Sequence, residues 1–131
     1  MQEHWSLDKY RAYKAKTNKY SNKKIIVDGL DFDSKLEAER WKELNILQKA
    51  GKIKDLRRQI SFELQPKYKK NDKTIQSINY IADFVYYDLN KKKIIVEDTK
   101  GYKTEIYKLK KKIFEYKYPD LEIKEIRRED I

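Results

Sequence analysis

The chain has 131 residues, a formal net charge of +10 and no cysteine. This length suits a single domain, and the lack of cysteine excludes disulfides, thiolate zinc sites and thiol nucleophiles. The single histidine, His4, lies near the amino terminus. Serine triads and histidine metal sites are therefore disfavoured, and any catalysis is expected to use carboxylates, lysines and a metal. The positive charge favours a polyanionic partner, nucleic acid before a membrane surface.

Residues 1–23 are predicted to form a basic arm, because lysines such as Lys14 and Lys16 alternate with aromatic residues such as Trp5 and Tyr13. Such an arm is either a solvated, partly helical segment or one that contacts phosphates and stacks on bases. Residues 24–131 are expected to form one domain. With no signal peptide and no apolar run long enough to span a membrane, the expected compartment is the cytoplasm.

A hairpin and a helix are predicted to open this domain. The segment from Lys24 to Phe32 turns at an Asp-Gly pair, which is typical of a short hairpin. Ser34 is then predicted to begin a helix that runs to about Ala50, with Gly51 as its end.

Glu37, in the first turn of this helix, has two interpretations. Its spacing from Ser34 matches a capping box, which would make it structural. At 100° per residue it also falls within the apolar arc of the helix, formed by Leu36, Trp41, Leu44 and Leu47. Because a capping glutamate has no need to face the core, we favour the second interpretation, in which Glu37 is a carboxylate of a functional site.

Three or four strands, a helix and a last strand are predicted to follow. The strands run from Ile53 to Leu64, from Thr74 onward with its regular part at Ile78–Tyr87, and from Lys93 to Lys100. The second helix begins near Thr104, and its predicted apolar side consists of Ile106, Leu109, Ile113 and Phe114. Its basic side consists of Lys108, Lys110, Lys111, Lys112 and Lys117. With a last strand at 121–126, this order implies an α+β fold, an α/β sandwich in which two helices cover a mixed sheet.

Two of these strands carry acids where apolar residues are expected. They are joined by a polar turn and should pair as an antiparallel hairpin. Alternation places Asp83 on one face of the first strand, and both Asp98 and Lys100 on one face of the second. Carboxylates and an ammonium group on apolar faces are costly unless they are used. We therefore expect a functional site here.

Phosphodiester hydrolysis is the chemistry that this set of residues fits. It needs a nucleophilic water, neutralisation of charge on the phosphate and support for the leaving oxygen, and Mg²⁺ held by oxygen ligands supplies all three. Asp83 and Asp98 are the expected metal ligands, with the Thr99 carbonyl as a third. Lys100 would orient or help deprotonate the water, and Glu37 would hold the metal or its water. Without the ion, the carboxylates should repel one another and at least one pKa should be raised.

Asp83 and Asp98-Thr99-Lys100 on paired strands, preceded by Glu37 on a helix, resemble the PD-(D/E)XK nuclease superfamily, with Ala82 in place of the proline. Residues 24 to about 126 more closely resemble a family of small phage and prophage proteins long catalogued as a domain of unknown function. The segments that carry this resemblance are Phe32-Asp33-Ser34-Lys35, Glu63-Leu64-Gln65-Pro66-Lys67, Tyr80-Ile81-Ala82-Asp83-Phe84, Glu97-Asp98-Thr99-Lys100-Gly101 and Phe114-Glu115-Tyr116-Lys117-Tyr118-Pro119. The resemblance implies a restriction-endonuclease-like αβββαβ core, dependence on a divalent metal and a role in DNA processing.

We accordingly expect a Mg²⁺-dependent DNA endonuclease, encoded by a phage and acting on branched or recombination DNA as a Holliday-junction resolvase does. Mn²⁺ is expected to substitute, and a homodimer would place two sites on opposite strands. Phosphate contacts are expected from Lys103, Lys108, Lys110, Lys111, Lys14 and Lys16, although a solvated helix surface explains any one of them. The alternatives are a catalytically inactive nucleic-acid-binding or regulatory protein on a nuclease scaffold, and RNA as the substrate. Glu97 would replace Asp98 as the ligand if a bulge reversed the alternation, and the roles of Gln59 and Gln65 stay open.

Overall fold

The computed structural model describes residues 24–100 and 102–131. It contains two α-helices, α1 (Lys35–Lys49) and α2 (Glu105–Lys117), and a 3-10 turn at Arg128–Asp130. The eight strands are β1 (Ile25–Val27), β2 (Leu30–Phe32), β3 (Ile53–Gln65), β4 (Tyr68–Lys70), β5 (Lys73–Ile75), β6 (Ile78–Asp88), β7 (Lys93–Thr99) and β8 (Ile123–Ile126). The predicted arm, residues 1–23 with Lys14 and Lys16, lies outside the described residues.

The central sheet has four strands in the order β3-β6-β7-β8. Strands β3, β6 and β7 pair antiparallel, whereas β7 and β8 pair parallel, which makes the sheet mixed. The parallel pair needs a crossover connection, and α2 supplies it. Together with α1, the central strands follow the order αβββαβ, and the predicted α+β class is confirmed. The pairs β1–β2 and β4–β5 form separate two-stranded hairpins.

Helix α1 begins as the sequence predicts. The Ser34 side chain accepts a hydrogen bond from the Glu37 backbone N–H at 3.1 Å, and Gly51, with a φ of +76° in the left-handed region, follows the last turn. Only half of the capping box forms, because the Glu37 carboxylate contacts the backbone N–H of Asp33, at 3.4 Å, and not that of Ser34. The side chain of Glu37 is therefore directed by something other than capping alone.

Each helix covers one face of the sheet with its own apolar cluster. The α1 cluster consists of Leu44, Ile53, Phe84, Tyr86 and Ile95. The α2 cluster consists of Leu64, Tyr80, Ala82, Val96, Tyr107, Phe114 and Ile123. Ile95 and Val96 are neighbours on β7 and belong to different clusters, so the two clusters lie on opposite faces. Trp41 of α1 connects the first hairpin to the core, since its ring lies 6.2 Å from Phe32 and 6.0 Å from Phe84.

Strand β6 is interrupted at Asp83. Ala82 packs in the α2 cluster and Phe84 in the α1 cluster, although regular alternation would keep both on one face. Gln59 of β3 lies opposite Asp83, and neither residue takes part in the ladder between the two strands. The backbone of Gln59 has a φ of +54°. A left-handed conformation at a residue other than glycine is strained. The strain is located where the side chains of the predicted site leave the sheet.

Two expectations about the elements are wrong. The strand predicted to start at Thr74 is broken, because Lys73–Ile75 pairs with β4 and the long strand starts only at Ile78. The predicted apolar side of α2 is correct for Phe114, which is fully buried, and wrong for its other members, since Ile106 and Leu109 are 68% and 58% exposed and Ile113 is exposed as well. Burial of this helix depends on Tyr107 and Phe114, seven positions apart on one face.

Candidate active site

The predicted site residues surround a cavity of about 510 Å³ at the carboxyl end of β7. Beyond the pair Phe84 and Glu97, the ladder between β6 and β7 ends, and the two strands leave room between them. The residues that line this cavity are Asp33, Ser34, Leu36, Glu37, Ile81, Asp83, Asp98, Thr99, Lys100 and Tyr102. All four predicted catalytic residues, on three different elements, are thus brought to one place.

Asp83 is held where β6 is interrupted. Its Oδ2 accepts hydrogen bonds from the Thr99 backbone N–H at 2.8 Å and from the Thr99 hydroxyl at 2.7 Å. Its Oδ1 accepts from the Gln59 carboxamide at 3.3 Å. These bonds tie β6 to the end of β7 through a side chain, and they fix the carboxylate beside Asp98.

Asp98 is buried, with 3% of its surface exposed, and both of its carboxylate oxygens have partners. The Tyr80 hydroxyl donates to Oδ2 at 2.6 Å, and the Lys100 ammonium lies 3.1 Å from Oδ1. The same ammonium lies 4.2 Å from the centre of the Tyr107 ring, in cation–π geometry. Lys100 is therefore held against the site and directed toward Asp98.

Glu37 reaches the site from α1 and is only 3% exposed. Its Oε1 accepts a hydrogen bond from the Gln59 carboxamide at 3.0 Å, and the Arg58 guanidinium lies 3.6 Å away. The prediction that Glu37 faces inward is confirmed. Gln59, whose role the sequence left open, joins the Glu37 and Asp83 carboxylates. Gln65 pairs with Ile78 at the far end of β3 and does not line the cavity.

Two carboxyls of the site, those of Glu37 and Asp98, have raised pKa values, as expected for a repelling cluster. Burial and then the Asp83 charge raise the pKa of Glu37 from 4.5 to about 7. The same two causes raise the pKa of Asp98 from 3.8 to about 7, against the opposing effects of Tyr80 and Lys100. Displaced pKa values in a cleft are typical of functional sites.

Glu97 lies on the opposite face of β7 and has a different partner. It is fully buried, and its carboxylate accepts two hydrogen bonds from the Arg40 guanidinium, from Nε at 2.8 Å and from Nη2 at 2.6 Å. The Tyr86 hydroxyl also donates to it. Glu97 therefore belongs to a buried ion pair that connects α1 to β7, and Asp98 is the acid that faces the cavity. The sequence contains one indication that Arg40 faces inward, because it lies one helical turn after the inward-facing Glu37.

The donor set fits a hard divalent cation. Among residues 24–100 and 102–131, no three histidine, aspartate or glutamate side chains are grouped closely enough to hold a metal ion as they stand. Mg²⁺, however, is usually held by one or two carboxylates and keeps several waters. Asp83 and Asp98 supply two carboxylates in mutual repulsion, and a cation between them would relieve that repulsion. Glu37 and the Thr99 carbonyl are further oxygen donors on the cavity wall.

The lysines predicted to contact phosphates lie beside this cavity or on α2. Lys103 and Lys111 lie 2.9 and 3.7 Å from the Glu125 carboxylate, which also accepts from the Tyr107 hydroxyl. Lys108 pairs with Glu105 at 3.1 Å on an exposed surface, and Lys110 is half-buried.

Neither helix among the described residues is long and apolar enough to cross a membrane.

The fold and the site define a small α+β protein with carboxylates and a lysine gathered at the end of two paired strands. A family model described as a protein of unknown function (DUF1064) matches residues 17–129, and the chain belongs to this family. No curated protein and no solved structure matches the chain.

Proposed function

We propose that the protein is a metal-dependent deoxyribonuclease of the PD-(D/E)XK superfamily that hydrolyses phosphodiester bonds within DNA. The observation that carries the proposal is the approach of Asp83, Asp98 and Lys100 in one cavity, on two strands whose ladder ends there. Asp98 is buried, and Asp83 and Lys100 are partly buried. Taking such charges out of water together is costly, and the raised pKa of Asp98, caused first by burial, reflects that cost. A binding surface for phosphates alone would gain nothing from buried acids.

The proposed roles follow from the contacts of each side chain. Asp83 and Asp98 would hold Mg²⁺, or Mn²⁺ in its place, with Glu37 and the Thr99 carbonyl as further donors. When bound, such an ion lowers the pKa of its water and neutralises charge on the phosphate. Lys100, 3.1 Å from Asp98, would orient the attacking water and offset charge that develops on the phosphate oxygens.

Gln59 and Thr99 would keep the acids in place. The Gln59 carboxamide donates to both Glu37 and Asp83, so it separates two charges that would otherwise repel each other. Thr99 donates twice to Asp83. Hydrogen bonds of this kind orient metal ligands and affect metal affinity.

Cleavage assays with matched variants test the proposal. Labelled four-way junction, linear duplex, single-stranded DNA and RNA would be incubated with the protein in Mg²⁺, Mn²⁺ or EDTA. Wild-type protein should cut DNA only with metal, and Asp83→Asn should reduce the rate at least about a hundredfold. Asp72→Asn makes the same chemical change in the exposed turn between β4 and β5 and should keep full activity. Preferential cutting of the junction would support the recombination substrate, whereas cutting of RNA alone would rule out a deoxyribonuclease.

A DNA-binding protein without catalysis is the second candidate, and one observation favours it. Both Asp98 oxygens already have partners, Tyr80 and Lys100, so a metal would have to displace or share one of them. Binding of four-way junctions without cutting of any substrate in either metal would support this candidate over the nuclease.

We further propose that the protein acts as a homodimer, which the exposed apolar side of α2 supports. Ile106, Leu109, Ile113 and Tyr116 form a stripe on which Tyr116 is 89% exposed. The intervals between these residues are three, four and three positions, so the pattern is the same from either end of the helix. In a dimer with a two-fold axis, the α2 helix of a second copy would run antiparallel and would repeat every contact. Lys110 and Lys112 border the stripe and would repel their copies.

Sedimentation equilibrium should detect a dimer that strengthens with salt and is lost in Leu109→Lys. A monomer at every concentration would contradict the dimer.

A further inference from the structure

A second cavity adjoins the proposed active site and is strongly basic. Its volume is about 530 Å³, and it shares Leu36 and Lys100 with the cavity of the carboxylates. The rest of its lining consists of Lys103, Arg127, Arg128 and Glu129. Four cations and one acid therefore face a space that opens directly beside an acidic site.

The carboxyl-terminal turn, which carries Arg127 and Arg128, is tied to the elements of the proposed site. The Lys100 backbone N–H donates to the Ile126 carbonyl at 3.0 Å, so the end of β8 is tied to the chain that leaves β7. Immediately beyond, the Arg127 backbone N–H donates to the Asp130 carboxylate at 2.8 Å and stabilises the 3-10 turn. Arg128 pairs with Glu39 on α1, two residues after Glu37. These contacts place Arg127, through its backbone, and Arg128, through its side chain, on the wall of the cavity that adjoins the acids.

We propose that this second cavity binds phosphate groups of the nucleic-acid backbone next to the phosphate at the carboxylate site. The proposal rests on the proposed function for the identity of the ligand. Guanidinium groups match phosphate geometry and bind it through paired hydrogen bonds. Lys100 lies at the border of both cavities and is paired with the buried Asp98. We therefore assign the phosphate contacts to Arg127 and to Arg128, whose solvent-exposed pair with Glu39 would be exchanged for a phosphate. The strand would pass from the acids, over Lys100, to the carboxyl-terminal turn.

A chain of phosphates fits this surface better than a single anion does. A third cavity, of about 370 Å³, shares Lys103 with the second and carries a net positive charge, because four lysines and two glutamates line it with Tyr107. The lysines are Lys103, Lys108, Lys111 and Lys112, and the glutamates are Glu115 and Glu125. The three cavities form a continuous track in which the acids lie at one end. A polyanion would contact several cations in succession, and each contact would add to the salt dependence of binding.

The test measures DNA binding in EDTA, where hydrolysis plays no part. Fluorescence anisotropy of a labelled four-way junction and a labelled duplex would be recorded against NaCl for wild type and Arg127→Ala/Arg128→Ala. The double variant should bind about tenfold or more weakly, and the slope of log affinity against log salt should fall by about 1 to 2. Lys91→Ala/Lys93→Ala is the matched control, because it removes two exposed cations at the opposite end of β7. It should stay within about twofold of wild type.

Three results would overturn the inference. One is an affinity and salt slope of the arginine variant equal to those of wild type, with thermal unfolding showing that both proteins are folded. Another is an equal loss in the control variant. The third is displacement of DNA by millimolar inorganic phosphate, which would indicate a site for a single anion. If wild type cuts DNA but the arginine variant binds normally, this inference fails and the nuclease stands. If the arginine variant loses binding but wild type never cuts, the nuclease fails and the phosphate track stands.

Discussion

Replacing Asp83 with asparagine should be less unfavourable for the stability of the metal-free protein at pH 8 than at pH 5, although it removes a residue of the proposed site. Burial and the Asp83 charge raise the pKa values of Glu37 and Asp98 to about 7. A carboxyl whose pKa is raised in the folded protein contributes its full stability only below its unfolded value of about 4. That stability is lost as the pH rises to about 7, because ionisation is easier in the unfolded chain.

The size of the effect follows from these pKa values. A pKa raised from 3.8 to about 7 for Asp98 corresponds to about 4 kcal/mol, and the change at Glu37 corresponds to about 3 kcal/mol. Burial is the larger cause in both cases and the Asp83 charge the second. We therefore assign less than half of the total to Asp83, and we expect the stability of Asp83→Asn relative to wild type to show a gain of about 2 kcal/mol at pH 8 over pH 5.

Urea unfolding in EDTA at pH 5 and pH 8 measures this gain. The variant also loses charged hydrogen bonds to Thr99, and we take that cost to be the same at both pH values. The difference between the two pH values therefore isolates the charge repulsion, and Asp72→Asn should show no such difference. If the stability of Asp83→Asn relative to wild type is the same at pH 5 and pH 8, the carboxylates do not repel one another and the reasoning fails.

Four further substitutions test the account of the core and the site. Arg40→Met should lower the free energy of unfolding by about 3–5 kcal/mol in urea titrations, because it leaves Glu97 charged and buried; a loss below about 1 kcal/mol would contradict the buried pair. Gln59→Gly should leave the thermal midpoint unchanged or raised, since its φ is +54°, while weakening Mn²⁺ binding about tenfold in calorimetry. Phe114→Ala should cost about 3–5 kcal/mol in urea unfolding and Leu109→Ala less than about 0.5 kcal/mol, because Phe114 is fully buried and Leu109 is exposed. Equal losses of stability in Phe114→Ala and Leu109→Ala would contradict this and would support the predicted apolar side of α2.

Local signals were enough to predict the strands and helix that carry the site. Turn residues and alternation located the β6–β7 hairpin and singled out Asp83 and Asp98, and both of these acids line the cavity. The cap at Ser34 located the start of α1, and the helical period indicated that Glu37 faces inward. Each of these features depends on neighbours within a few positions along the chain.

The features that the sequence did not reveal depend on distant contacts. Arg40 and Glu97 are 57 positions apart, and each alone looks like a surface charge in a chain that is 41% charged. The left-handed backbone of Gln59 follows from the interruption of β6 opposite it, which alternation cannot indicate. Helix α2 has apolar residues on several sides, so its period does not identify the buried face. Packing of Tyr107 and Phe114 against Tyr80 determines that face.

Direct binding of Mn²⁺, followed by the loss of the free-ion signal in electron paramagnetic resonance, tests the central claim without knowledge of the DNA substrate. The account predicts saturable binding to wild type and to Asp72→Asn, at concentrations up to about the millimolar range usual for weak oxygen-ligand sites, and its loss in Asp83→Asn. Binding should also be displaced by Mg²⁺. Absence of binding to wild type, or equal binding to Asp83→Asn, would contradict the claim that these carboxylates form a metal site.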